Sequence, residues 1–177
     1  MKNIKTISLL QPWASLILLG HKKIETRSWA SLYRGPLAIH ASASADKGLM
    51  ALLEKDEAFQ AGLEMAMGEE RAFDLAALPR GCVLGIVYLE DVLRIPVNKT
   101  TYQSKAARSD NFRRGVTLPP AMPELAFGDF APGRFAWILG RPHIFETPIP
   151  AKGALAVWEW EYSRYPEAVN VMEEFGG

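Results

Sequence analysis

Cysteine is almost missing from this chain: among 177 residues, Cys82 stands alone. An intrachain disulfide framework or a cysteine-built zinc site needs at least a second thiol, so both are excluded. A reducing compartment suits such a chain. Histidine is scarce as well. His21, His40 and His143 are far apart and form neither a His-Glu-x-x-His nor a His-x-Glu pattern, so no metal centre is expected. No stretch approaches the roughly 20 apolar residues that span a bilayer, and no membrane association is expected. The segment Met1 to Lys5, followed by only Ile7, Leu9 and Leu10 before Gln11-Pro12, is too polar and short for a secretory signal. The cytoplasm is the expected location. Gly-x-Gly-x-x-Gly, Gly-x-x-x-x-Gly-Lys-Ser/Thr and Gly-x-Ser-x-Gly are all missing, which removes dinucleotide, phosphate-loop and serine-elbow chemistries. No cofactor is expected.

Net charge is also lacking, at zero, but its distribution is uneven. Residues 1–44 carry six Lys or Arg against one acid, and residues 45–79 carry three against eight. Residues 80–118 carry seven against three, and residues 119–177 four against eight. Two basic blocks brought together would give a positive face suited to an anionic partner. Alternating blocks also simply keep a small protein soluble, and charge alone does not separate these readings.

The apolar pattern predicts a strand over Ile4–Leu10, then a short helix from Pro12 through Leu19 that Gly20 ends. Lys23–Trp29 alternates as a strand, with Lys23, Glu25, Arg27 and Trp29 on one face. Leu37–Ala41 is a further strand. Residues 48–60 and 63–77 read as helices interrupted at Gly62, an outer layer rather than a ligand site. Cys82–Leu93 is the most apolar run and the candidate central strand. Gly133–Leu139 and Ala154–Trp160 are later strands, and the tail from Pro166 to Phe175 a short helix. The expectation is one mainly β domain over 1–177 (α+β in class), with a helical insertion at about 45–78 and a long basic, proline-rich loop at about 96–132. Short turns between strands point to a small β-barrel.

Within eight residues the chain offers cations, an acceptor and a flat ring. Lys22 and Lys23 are compact cations, Arg27 a donor fork, Glu25 an acceptor or acid/base group, and Trp29 a stacking surface. That set suits a base beside a phosphate; it also suits a solvated ion network on an exposed strand. Trp13, Arg34 and His40 are further candidates for the ligand site, with core packing the competing role for Trp13 and His40. Arg108, Arg113 and Arg114, near Lys99, Tyr102 and Lys105, form either a solvated loop or a flap over an anionic strand.

These residues carry a resemblance. Ser8-Leu9-Leu10-Gln11-Pro12-Trp13-Ala14-Ser15-Leu16-Ile17, Gly20-His21-Lys22-Lys23-Ile24-Glu25-Thr26-Arg27-Ser28-Trp29 and Arg34-Gly35-Pro36-Leu37-Ala38-Ile39-His40-Ala41 resemble the ASCH family, as does Pro148-Ile149-Pro150-Ala151-Lys152-Gly153 with Trp158. The resemblance implies a PUA-like β-barrel with a basic cleft for RNA, single-stranded nucleic acid or a modified nucleoside. Some family members hydrolyse the acetyl amide of acetylated cytidine with a lysine, a threonine and a glutamate. The lysine falls on Lys22 and its neighbouring arginine on Arg27. The threonine falls on Glu25, a departure from the pattern, and Glu90 and Glu124 are candidates for the glutamate. Binding of nucleic acid, hydrolysis of an acylated nucleoside through Lys22 and Glu25, and a protein-interaction role are the three functional expectations.

Overall fold

The computed structural model describes residues 1–45, 48–68, 74–95 and 120–176. Six strands form one mixed sheet: β1 (Asn3–Leu9), β2 (Ile24–Arg27), β3 (Gly35–Ala41), β4 (Cys82–Arg94), β5 (Phe135–Pro150) and β6 (Val157–Glu161). Their order is β2-β5-β4-β3-β1-β6, with β1 and β3 parallel and every other neighbouring pair antiparallel. Among the described residues the helices are α1 (Trp13–Leu18), α2 (Leu49–Lys55), α3 (Glu57–Met67) and α4 (Pro166–Glu174), with a 3₁₀ turn at Glu124–Phe127. None is long and apolar enough to cross a membrane.

The expected mainly β architecture holds, but the sheet is open, not a closed barrel. Its edges are β2 and β6, which do not pair. The physical reason lies at β2, where side chains satisfy backbone groups that another strand would need. Glu124 accepts from the Lys23 and Ile24 amides, Lys22 Nζ donates to Ile24 O at 2.6 Å, and an Arg134 guanidinium nitrogen lies 3.3 Å from Thr26 O. Such an edge has few groups left for a closing strand.

Strand β4 is buried along nearly its whole length, as its continuous apolar run demands, and lies inside the sheet. Burial raises the Cys82 thiol pKa, which suits a packing role. One face of the sheet packs Ile7, Leu37, Ile39, Val87, Leu89 and Trp137 with Ile17 and Leu18 of α1. Another cluster joins Ile4, Ile86, Phe145 and Trp160 to Ala168 and Val171 of α4. Strand β5 runs past residue 139, where the sequence reading stops it, and reaches Pro150. It absorbs Pro142 and Pro148 through shifts in register against β4, with Arg141 at φ 52°.

The insertion also differs from expectation. Its break falls at Asp56, whose carboxylate caps α3 by accepting from the Phe59 amide at 2.9 Å. Gly62 does not interrupt the helix. It sits inside α3 because a Cβ there would lie 2.9 Å from the Phe127 ring. Helix α3 ends at Met67, short of the expected extent to residue 77. Nor are these helices merely an outer layer. Phe59 and Leu63 pack with Leu16, Phe127, Trp13 and Leu52, so the insertion forms a wall against α1 and the 3₁₀ turn.

Candidate functional site

The site is assembled by a tight run of local structure. Gln11 is fully buried; its side-chain oxygen accepts from the Ser15 amide at 3.2 Å and its amide nitrogen donates to Pro79 O at 2.9 Å. The first of these bonds satisfies a free amide in the opening turn of α1, which starts at Trp13. At the other end Gly20, at φ +79°, donates to Ile17 O while His21 donates to Leu16 O, both at 3.0 Å. This paired pattern is a Schellman ending. The Lys22 amide also reaches Leu16 O, at 3.0 Å, so the helix end sets where Lys22 enters.

Lys22 then turns inward. It is 1% exposed, and Nζ donates to Ile24 O at 2.6 Å and Phe127 O at 2.9 Å, with Glu25 Oε2 at 3.5 Å. Burial pulls its pKa below the usual lysine value; Glu25, then Glu124, oppose that shift. The three partners occupy three donor positions, and the side chain ties β2 to the 3₁₀ turn. Glu25 sits between two cations, because Arg27 Nε lies 3.1 Å from its other oxygen. That nitrogen is buried and out of line for a hydrogen bond with the carboxylate. Another Arg27 nitrogen donates to Ser8 O at 3.3 Å.

These groups bound a cleft of about 540 Å³. Trp13, Leu9, Leu10, Leu52, Leu125 and Phe127 give it apolar walls, while Glu25, Arg27, Asp56 and Asp129 give it polar groups. The expected basic hollow is therefore not what the described residues build: Arg27 shares its lining with three carboxylates, Glu25, Asp56 and Asp129. Asp129 lies 3.3 Å from Arg134, outside the cleft, which neutralises part of that charge.

Of the residues singled out in the sequence, Trp13, Glu25 and Arg27 meet in this cleft, with Lys22 bracing it from behind. The other expected ligand groups do not. Lys23 is exposed and lines a separate hollow of about 270 Å³ with Arg141 and Pro142. Trp29 packs edge-on against Trp137, with centroids 4.9 Å apart at 88°, so its ring serves the core. Arg34 is bound to Asp91 at 2.8 Å and to the carbonyls of Ser31 and Tyr33, which fixes the approach to β3. His40 is buried beside a second hollow, with Nε2 3.0 Å from Ala151 O and Nδ1 3.1 Å from Ser8 Oγ. Arg108, Arg113 and Arg114 lie outside the described residues. Glu124 is close to Lys22 through β2, whereas Glu90 lies against Gly140. Among the described residues no cluster of His, Cys, Asp and Glu could hold a metal ion.

The Trp13 helix, the inward Lys22 and the Glu25–Arg27 pair are the product of the same two sequence blocks, and a profile of the ASCH domain matches residues 7–171. The chain belongs to the ASCH domain family. Activating signal cointegrator 1 from Homo sapiens is 33% identical over 153 residues, which is 86% of this chain and 22% of that protein. The same protein from Mus musculus is 37% identical over 153 residues, with the same shares. This ASCH chain thus spans 22% of the length of these curated relatives. A crystal structure of an ASCH protein from Zymomonas mobilis aligns with a TM-score of 0.44 and 14% identity, covering 96% of either chain.

Sequence reasoning missed part of this ASCH cleft. Leu52 and Asp56 belong to the helical insertion, and Leu125 to Asp129 to the proline-rich region. The available signals were Asp56 three residues before Phe59, a helix-capping arrangement, and Gly62 in an otherwise helical run, which marks a close approach. Neither signal names the partner element.

Proposed function

We propose that this chain binds single-stranded nucleic acid by taking one base into the Trp13–Glu25–Arg27 cleft. The observation that carries the reading is an indole wall and a held carboxylate–guanidinium pair lining one hollow of about 540 Å³. Ligand pockets for small molecules run to roughly 300–1,000 Å³ and combine apolar walls with a few placed polar groups. A base stacked on Trp13 would gain about 1–3 kcal/mol. Glu25 supplies acceptors for an exocyclic amine, and Arg27 donors for a ring carbonyl or nitrogen. A base carrying an amino group beside an acceptor, such as cytosine, matches that order of groups. Phosphate is a poor fit, since three carboxylates line the same hollow.

Fluorescence anisotropy with short single-stranded RNA and DNA tests the proposal. Trp13→Ala and Arg27→Ala are each expected to weaken binding roughly tenfold. Unchanged affinity in both variants would overturn it.

The hydrolytic alternative gains one point from the burial that lowers the Lys22 pKa, since a lower pKa eases loss of the proton that blocks a lysine from acting as base or nucleophile. Against it, Lys22 Nζ is turned to Ile24 O, Phe127 O and Glu25, not to the open cleft. Incubation with an acylated cytidine, followed by chromatography, is expected to return the substrate intact. Turnover that Lys22→Arg abolishes would replace the binding reading with an enzymatic one.

A further inference from the structure

A second hollow of about 350 Å³ lies beside the cleft, and Ser8 lines both. Its chemistry is the reverse of the cleft's. Ser42, Ser44 and Lys152 surround it, with Ser8, His40 and Gly153 contributing further lining, and no Asp or Glu lines it among the described residues. Lys152 is exposed and forms no ion pair among the described residues. Ser42 Oγ accepts from the Ser44 amide at 3.2 Å, leaving its own O–H to donate elsewhere.

The back wall is firmly held. Ala151 O can only accept, so His40 Nε2 carries a proton toward it. Burial lowers the His40 pKa, while the bond to Ala151 opposes that shift. Ser8 Oγ meets His40 Nδ1, the Trp158 indole N–H and Ala154 O, each at 3.1 Å. Gly153 closes over this cluster: a Cβ there would lie 2.4 Å from His40 Cε1 and 2.8 Å from Ser8 Oγ. The loop carrying Lys152 is thereby pressed against β1 and β3, next to the end of the base cleft.

We propose that this second hollow is a phosphate subsite, holding with Lys152, Ser42 and Ser44 the phosphate adjoining the base in the cleft. The inference rests on the base-binding reading for its division of labour. A nucleotide is flat and hydrogen-bonding at one end and anionic at the other, and the two hollows separate those demands across Ser8. A lysine offers phosphate a point charge and serine hydroxyls add donors, with no carboxylate beside them to repel it.

Calorimetric titration compares cytidine, its 5′- and 3′-monophosphates, and inorganic phosphate alone, using wild type, Lys152→Ala and Trp13→Ala. At least one monophosphate is expected to bind about fivefold more tightly than cytidine. Lys152→Ala should abolish that advantage and leave cytidine unchanged, whereas Trp13→Ala should weaken cytidine. An unchanged ratio of monophosphate to cytidine in Lys152→Ala overturns the subsite. Cytidine that fails to bind wild type overturns the base-binding reading instead. The subsite is then judged by amide and side-chain NMR shifts with inorganic phosphate: shifts at Ser42, Ser44 and Gly153 that Lys152→Ala removes support it, and their absence overturns it.

Discussion

The two hollows on either side of Ser8 are built in opposite ways. The cleft draws its walls from α1, β2, the insertion helix α2 with Asp56 and the 3₁₀ turn, so residues more than 100 positions apart meet there. Its charges are internally engaged, Glu25 between Lys22 and Arg27. The second hollow is made from strand ends and one short loop, with hydroxyls and a solvent-facing lysine. Buried pairs of the first kind define shape and orientation; exposed cations of the second kind set salt dependence. The difference is sharpest between Lys22 and Lys152: one is a brace, the other a handle for an anion.

The largest effect should come from removing the brace. Lys22→Ala leaves two buried carbonyls and Glu25 without their shared donor, and should destabilise the fold by about 3–5 kcal/mol in urea unfolding. Lys23→Ala, one residue along and exposed, should stay within about 0.5 kcal/mol of wild type. Similar losses in both would erase the distinction between a buried brace and an exposed cation. Next comes Gly153→Ala, whose Cβ must displace the His40 ring or lift the loop. A loss of about 1–3 kcal/mol in thermal or urea unfolding is expected, with cytidine affinity preserved.

Acid should act on the second hollow first. The folded state holds His40 below its usual pKa, chiefly by burial, so the unfolded chain takes up its proton at higher pH. Stability should therefore decline as pH falls from about 6.5 toward the lowered folded value, by up to about 1.4 kcal/mol per pH unit. Urea midpoints over that range should show this component in wild type and not in His40→Gln. The smallest effect belongs to Lys152→Ala, which should leave stability within about 0.5 kcal/mol and make the salt slope of single-stranded binding shallower by about 0.7.

The same contrast explains what could be read in the sequence. The motif blocks revealed the family, the order of most strands and three groups of the cleft, because capping, turn and strand signals are local. Strand alternation set Glu25 and Arg27 on one face but could not say what covers it. Residues 124–129 cover it, and Glu25 is buried as a result. The same rule added Lys23 and Trp29, yet β2 is only four residues long and both lie beyond its ends. Trp29 accordingly joins Trp137 in the core. Barrel closure was illegible for a related reason, since the side chains of Lys22, Glu124 and Arg134 occupy the β2 edge. By sequence Asp56 belongs to the helical outer layer, and only the packing of α2 and α3 against Leu16 and Phe127 makes it a cleft residue.

The most direct measurement follows the five tryptophan indole N–H signals by NMR during titration with cytidine. A base held in the cleft should move the Trp13 signal strongly while Trp29 and Trp137 stay in place. A shift at Trp29 with Trp13 unmoved would contradict the account.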